Sequence, residues 1–423
     1  MFCVFFLCCP FAFAQTQHKK VSVLFIGNSY TYVNNLPLLV DSIAVSLGDT
    51  LDYDVSTPGG YTLQLHSTNA TTLAKINQQA WDYVVLQEQS QLPSWSPSSV
   101  DSTTIPYALF LDSVIKANNS CTKTVFYLTW GRKHGDASNC PFYPPVCTYA
   151  GMQDRLTDSY KRMADTCHGI VAPVGEAFRT CIAFDSTINL YQSDESHPSL
   201  EGSFLAASVF YNIFFHRSAS GSNFDPGITQ APAYMFHLFA RQTVRDSINF
   251  WNLGVNEPWA EFTWYEAPNC DGVFTGVSNS NFSHYWDFGD STTSSAPSPV
   301  HHYLHSQYYP VMHIVYDSCS SDTFRQANNM VCLVSSGNEE PSEEFEIFPV
   351  PARDELRILY SGIGIKSAEV RNLTGETVRA GFSKIDARHY ALNVSALVNG
   401  IYFLRLIDEQ GRVSVMRKIA VMK

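Results

Sequence analysis

The sequence predicts an α/β protein, a parallel sheet with helices on both faces, followed by two small all-β sandwich domains. Three observations carry that prediction. Between Val21 and about Trp251, short apolar runs alternate with stretches of helical spacing, the pattern of repeated strand–helix–strand units. From about Pro258 the texture changes to short runs rich in aromatic and β-branched residues, broken by Ser, Asn and Gly turns. A Ser/Gly/Glu-rich stretch, residues 335–344, then reads as a linker before a last strand-rich segment, Phe345 to Lys423. A chain of 423 residues has room for two or three domains.

Residues 1–14, MFCVFFLCCPFAFA, form a short apolar region closing on an A-x-A pattern and read as a signal peptide, although the segment lacks Lys and Arg. No later stretch of about twenty apolar residues suggests a membrane span. The net charge of −12 is spread along the chain, which argues against a nucleic-acid partner. Of eleven cysteines, Cys3, Cys8 and Cys9 leave with the leader. Export permits disulfides among the rest: Cys140 and Cys147 bracket a Pro-rich loop, Cys167 and Cys181 lie close together, and Cys270 and Cys319 fall in the second domain, but spacing alone does not fix the pairing. With no CxxC and no HExxH, nothing in the sequence demands a metal, and no cofactor is called for.

The first strand, Val21 to Ile26, ends in Gly27-Asn28-Ser29. A helix follows with Leu36, Leu39, Val40, Ile43 and Leu47 at helical spacing, opened by Pro37 and stopped by Gly48. A second strand, Leu51 to Val55, runs into Pro58-Gly59-Gly60. A helical stretch with Leu65, Leu73 and Ile76 leads to a third strand, Trp81 to Leu86, which ends in Gln87-Glu88-Gln89-Ser90. A helix from about Pro106 to Ala117, a strand from Thr124 to Leu128, a helix from Met152 to Asp165 and a strand from Gly169 to Val174 come next. After a long polar segment, Asp194-Glu195-Ser196-His197-Pro198 precedes an apolar helix, Phe204 to Phe215, and one more amphipathic helix spans Ala231 to Trp251. In an open parallel sheet ligands bind at the carboxyl ends of the strands, so the segments after each strand share one edge.

Ser29 therefore stands where such a fold does chemistry, and it needs a base. Asp194 lies three residues before His197, so one short loop can present both: His197 to take the proton of Ser29, Asp194 to hold the imidazole tautomer. An oxyanion needs converging donors. The backbone N–H of Ser29 is one, the N–H of Gly60 (with Gly59 as rival) a second, and the side-chain amide of Gln89 (with Gln87 as runner-up) a third. His66 and His134 compete for the same edge. His134 and Trp130 are possible substrate contacts, and Trp130, Trp95 and Tyr149 are possible stacking surfaces for a sugar ring, against the alternative of ordinary packing.

These blocks, IGNSYT, TPGGYT and DESHP, resemble those of the SGNH (GDSL-type) hydrolases, in which Ser, Gly, Asn and a final Asp-x-x-His occur in this order. The resemblance covers roughly Val21 to Trp251, within a catalytic domain placed at 15–254, and implies a flavodoxin-like sheet and a Ser29–His197–Asp194 esterase. Asn28 stands where many members carry Asp, and VVLQEQS stands in place of GxND, with Gln89 aligned to the Asn. The absence of GxSxG argues against the α/β-hydrolases. Within 258–334, Trp286-Asp287-Phe288-Gly289-Asp290 and the later His301-His302-Tyr303 resemble a PKD domain, an Ig-like sandwich. Within 345–423, Phe348-Pro349-Val350-Pro351-Ala352, Asn399-Gly400-Ile401-Tyr402 and Lys418-Ile419 resemble the sorting domain of type nine secretion substrates, which implies the secretion machinery as a partner and a secreted or cell-surface location. The expected activity is hydrolysis of ester bonds. Acetylated polysaccharide is the first substrate guess and lipid or other acyl esters the second. A non-catalytic glycan-binding or adhesion protein on a degenerate hydrolase fold is the alternative.

Overall fold

The computed structural model describes residues 18–331, 345–360, 364–372, 375–410, 414 and 416–422. The expected leader (1–14) and linker (335–344) lie outside the described residues. The chain falls into two compact units, divided between Leu333 and Val334.

The first unit opens on β1 (Lys20–Ile26), followed by a single helical turn α1 (Ser29–Tyr32) and by α2 (Leu36–Ser46). Then come β2 (Thr50–Ser56), α3 (Leu63–Thr68), α4 (Ala70–Ile76), β3 (Tyr83–Leu86), α5 (Pro97–Thr103), α6 (Ile105–Asn118), β4 (Lys123–Tyr127), α7 (Tyr149–Thr166), β5 (Ile170–Ala172), α8 (Val174–Phe184), α9 (Leu200–Phe215), α10 (Ala233–Arg245) and α11 (Leu253–Asn256). The five strands are parallel in the order β2-β1-β3-β4-β5, the flavodoxin-like order. Burial follows position. In β1 the run Val23 to Ile26, and in β3 the run Val84 to Leu86, have no exposed surface, as strands covered on both faces require. In the edge strand β2 only Leu51 and Ser56 are buried.

Right-handed crossovers put α2 on one face and the β2-to-β5 connections on the other. α9 returns beside α2, with α10 packed on α9, while α6 packs against α3, α4 and α7. Several elements differ from the sequence reading. The polar segment after β5 contains α8. α9 begins at Leu200, four residues early, because the Ser199 hydroxyl caps it by accepting from Gly202 N at 3.1 Å. α10 stops at Arg245, and the chain up to Trp251 continues as turns.

The same unit contains a seven-stranded sandwich: β6 (Phe262–Ala267), β7 (Asp271–Gly276), β8 (Ser283–Asp287), β9 (Thr293–Ser294), β10 (Val300–His302), β11 (Gln307–Tyr316) and β12 (Ser321–Met330). They form sheets β10-β7-β6 and β12-β11-β8-β9 around Phe262, Phe274, Trp286, Phe288, Tyr303 and Val311. Trp286 and Phe288 are packing residues here, as expected of this motif.

The seam between sandwich and α/β part is crosslinked by Cys121–Cys319. It also carries a charged cluster. His216 lies 3.2 Å from Asp322 and 3.4 Å from Glu257, and Lys19 reaches Asp322 at 2.9 Å. The Cys140–Cys147 bridge closes the Pro-rich loop, and Cys167 and Cys181 are buried thiols on the two sides of β5.

The second unit is again a sandwich, of β13 (Phe345–Phe348), β14 (Glu355–Tyr360), β15 (Ile365–Arg371), β16 (Thr377–Val378), β17 (Gly381–Lys384), β18 (His389–Asn393), β19 (Gly400–Asp408) and β20 (Arg417–Val421). Its sheets, β13-β14-β18-β17 and β16-β15-β19-β20, enclose Leu356, Ile358, Tyr390, Leu392, Leu404 and Ile419. No described helix is long and apolar enough to cross a membrane.

Candidate active site

Ser29 is the first residue of α1, directly after the carboxyl end of β1. The turn that presents it is bonded on every side. Asn28 is the N-cap, its Oδ1 accepting from Tyr30 N at 3.1 Å, and its Nδ2 donates to Tyr61 O at 2.8 Å. Asn28 N donates to Gln87 Oε1 at 2.8 Å, and the Thr31 hydroxyl donates to the same oxygen at 3.0 Å. Gln87 Nε2 returns a bond to Asn28 Oδ1 at 3.0 Å. Gly27 has no room for a side chain: a Cβ would sit 2.5 Å from Gln87 Oε1 and 2.6 Å from Thr31 Oγ1.

His197 comes to this serine from 168 residues away: Ser29 Oγ lies 2.8 Å from His197 Nε2. On the other side of the ring, Nδ1 lies 2.5 Å from Asp194 Oδ2. A carboxylate only accepts, so Nδ1 carries the hydrogen and Nε2 is left to accept from Ser29. The loop is built for this. Asp194 Oδ1 accepts the backbone N–H groups of Ser196 (3.1 Å) and His197 (3.0 Å), Gln192 N donates to His197 O, and Glu195 takes a left-handed φ of 59°. Burial works against ionisation of Asp194, but the hydrogen bonds from the His197 ring and from the Ser196 and His197 N–H groups outweigh it and hold the carboxyl below its ordinary range. With the His197 side chain 32% exposed, the site is open to solvent.

Behind the loop stands a stack of three rings. Trp130 lies between Tyr30 (centroids 4.8 Å apart) and Phe178 (4.3 Å), both nearly parallel to it. Its indole N–H donates to Ser196 O at 3.0 Å, and the Tyr30 hydroxyl bonds Ser196 Oγ at 2.6 Å. Trp130 is therefore no surface for a sugar. It is fully buried and props the Asp194–His197 loop. His134 is exposed at the rim, its Nε2 3.3 Å from Glu195 Oε1. His66 is buried away from the rim, donating Nε2–H to Gly27 O at 2.9 Å with Nδ1 accepting from Thr72, and burial lowers its basicity.

The oxyanion candidates are placed less uniformly. Gly60 has a φ of +72° in the turn closed by Tyr61 N to Pro58 O, and open space on its Cβ side. Gly59 backs onto the Tyr32 hydroxyl. Gln89 turns on its own loop: its Oε1 accepts from Gln91 N at 2.8 Å, and its Nε2 lies 3.4 Å from Gln91 Oε1. The runner-up, Gln87, is fully buried with its amide spent on Asn28 Oδ1 and Glu88 O. The support role of Gln87, and that of Trp130, escaped the sequence reading. A Gln-Glu pair at the end of an apolar strand was the one available signal. Among the described residues no group of three or more His, Cys, Asp or Glu is arranged to hold a metal.

Residues 346–422 match the family described as "Secretion system C-terminal sorting domain". The tail is a sorting domain. It marks the chain for type nine export to the cell surface or beyond. No curated protein matches the chain. Among solved structures, the chain is similar to a DUF4886 family protein from Bacteroides uniformis, with 17% identity, 53% of this chain and 95% of that one covered, and a TM-score of 0.47. It is also similar to a candidate SGNH hydrolase from Slackia heliotrinireducens, with 28% identity over 46% of this chain and 98% of that one, at a TM-score of 0.39. The PKD1 domain of the Vibrio cholerae metalloprotease PrtV is 28% identical over 17% of this chain and 94% of that domain, at a TM-score of 0.16.

Proposed function

We propose that this chain is an exported serine esterase of the SGNH type acting on O-acetylated carbohydrate. The supporting observation is the continuous bond path from Ser29 Oγ through both nitrogens of His197 to Asp194. Ser29 Oγ attacks the acyl carbonyl while His197 Nε2 takes its proton, and Asp194 stabilises the imidazolium. The oxyanion takes hydrogen bonds from the N–H groups of Ser29 and Gly60, with a Gln89 amide N–H as third donor. Collapse expels the alcohol, which leaves with the proton of His197. Water, activated by the same imidazole, then releases the acid and frees Ser29. Exposure of the site suits a bulky substrate, with His134 at its rim.

The test is hydrolysis of p-nitrophenyl acetate, followed by acetylated glycans, by wild type and Ser29→Ala. Ser29→Ala is expected to lose on the order of a thousandfold or more in kcat. Wild-type rates in that variant would refute the reading. The engagement of Gln89 with its own loop favours a second reading, a glycan-binding protein without turnover. It predicts retention of acetylated glycans by wild type with no acid released.

A further inference from the structure

A buried carboxyl joins the segments assigned to the oxyanion, and the mechanism above gives it no part. Glu88 follows Gln87 at the end of β3 and has no exposed surface. Its Oε1 accepts from Gln89 N at 2.6 Å and from Leu63 N at 3.1 Å. Leu63 opens α3, directly after the turn that holds Gly60. Glu88 N donates to the Tyr160 hydroxyl at 3.2 Å, and Glu88 O accepts from Gln87 Nε2 at 2.5 Å, the same amide that holds the Ser29 turn. One residue thus ties the loop after β2, the end of β3 and, through Gln87, the nucleophile turn.

The other oxygen, Oε2, is buried and has no partner among the described residues. The groups that face the carboxyl are two backbone N–H donors, from α3 and from the Gln89 segment, and the Tyr160 hydroxyl of α7. None is a cation. A carboxylate in this setting would be an uncompensated buried charge, whereas a carboxylic acid meets it with its carbonyl oxygen doubly bonded.

We propose that Glu88 is a positioning residue that works as a neutral acid, holding the Gly60 loop and the Gln89 segment in register with Ser29. The kinetic consequence rests on the esterase reading, and the protonation itself does not. Burial pushes the carboxyl up to about 8, against the opposing pull of the two N–H donors. Above that pH a second negative charge arises next to the segments that must bear the oxyanion, so kcat falls where a Ser-His pair alone would leave it level.

The experiment is the buffer-corrected pH profile of kcat and KM between pH 6 and 10 for the full chain, E88Q and E88A, paired with an infrared pH titration of the carboxyl C=O band. Wild-type kcat is expected to fall by about tenfold per pH unit above about 8. E88A loses about tenfold or more in kcat at pH 7 with little change in KM, and E88Q restores most of it and has no alkaline fall. The protonated-acid band is expected in wild type at pH 7, to fade with a midpoint near 8, and to be missing from E88Q. A level wild-type profile, or an equal fall in E88Q, overturns the proposal. If no Ser29-dependent hydrolysis is found, the esterase reading fails separately and the infrared band still decides: its absence from wild type at pH 7 overturns the proposal.

Discussion

Gln87 does for the Ser29 turn what strand pairing does for β1. The Gly27 N–H still joins the ladder at Ser56 O, and beyond it Asn28 N and Thr31 Oγ1 find their acceptor in one buried amide oxygen. Gln87→Ala strands both donors in a site water does not reach, which costs about 1–3 kcal/mol for each unsatisfied group. The expected outcome, measured by urea unfolding and kinetics on the same preparation, is a loss of roughly 3 kcal/mol in stability and a fall in kcat larger than any change in KM. Unchanged stability would mean that the turn holds its shape without this amide. At this scale the sequence was legible in placement: Ser29, Asp194 and His197 sit in short strings whose order is itself informative, and the structure brings the three side chains together. It was illegible at Gln87 and Gln89. In an extended segment two residues apart point the same way, so pattern cannot rank them. Geometry separates them, because Gln87 faces the Asn28 turn while Gln89 curls onto Gln91. Trp130 stood open between a sugar contact and ordinary packing for a similar reason, since an aromatic after a strand reads alike whether it lines a cleft or props a loop from behind.

The elements repeat the lesson at larger spacing. β1 and β3 could be read directly, because a strand buried on both faces leaves an unbroken apolar run. α8 was hidden because Pro173 and Gly175 stand at its start and polar residues alternate with its buried Val174, Ala177, Phe178 and Cys181. Its Phe178 nonetheless completes the ring stack behind the Asp194–His197 loop. That loop has no regular secondary structure of its own, so its position depends on contacts from outside it, among them Trp130 and Tyr30 at Ser196 and Lys133 N at Glu195 O. Trp130→Ala should open a large cavity and strand Ser196 O, with a loss of about 3–5 kcal/mol by thermal or chemical unfolding. Trp130→Phe keeps one stacked ring but removes the indole N–H and leaves a smaller cavity where the fused ring stood. It should cost about 1–3 kcal/mol and lower kcat while leaving KM nearly unchanged. Equal kinetics in Trp130→Phe and wild type would show that the N–H to Ser196 O does not steer the loop.

At the scale of the molecule, composition marked where the texture changes, near Pro258 and after Ser335, but not that the first sandwich shares a compact unit with the α/β part. The seam is made of contacts between distant residues, Cys121 with Cys319 and Lys19 with Asp322, which no local pattern announces. Its charge cluster makes a pH prediction. Burial alone would keep His216 neutral, but the carboxylates of Asp322 and Glu257 overcome it and hold the ring's proton up to about 9. Asp322 is correspondingly held below the usual carboxylate range, burial opposing and His216 and Lys19 prevailing. A histidine whose folded pKa is raised contributes fully below its unfolded value, about 6.5, and loses that contribution as pH climbs through about 9. Wild type should therefore lose thermal stability between pH 7 and pH 10. His216→Gln should be less stable at pH 7 by about 3 kcal/mol, since it leaves the buried Glu257 without its cation and Asp322 with Lys19 alone. The gap between the two should close by pH 10, where wild type has also lost the charge. Melting curves at pH 6, 7, 8.5 and 10 for both proteins, disulfide intact, measure it. A constant gap across that range would mean that His216 acts through packing, stacked on Trp259 at 4.3 Å, rather than through its proton.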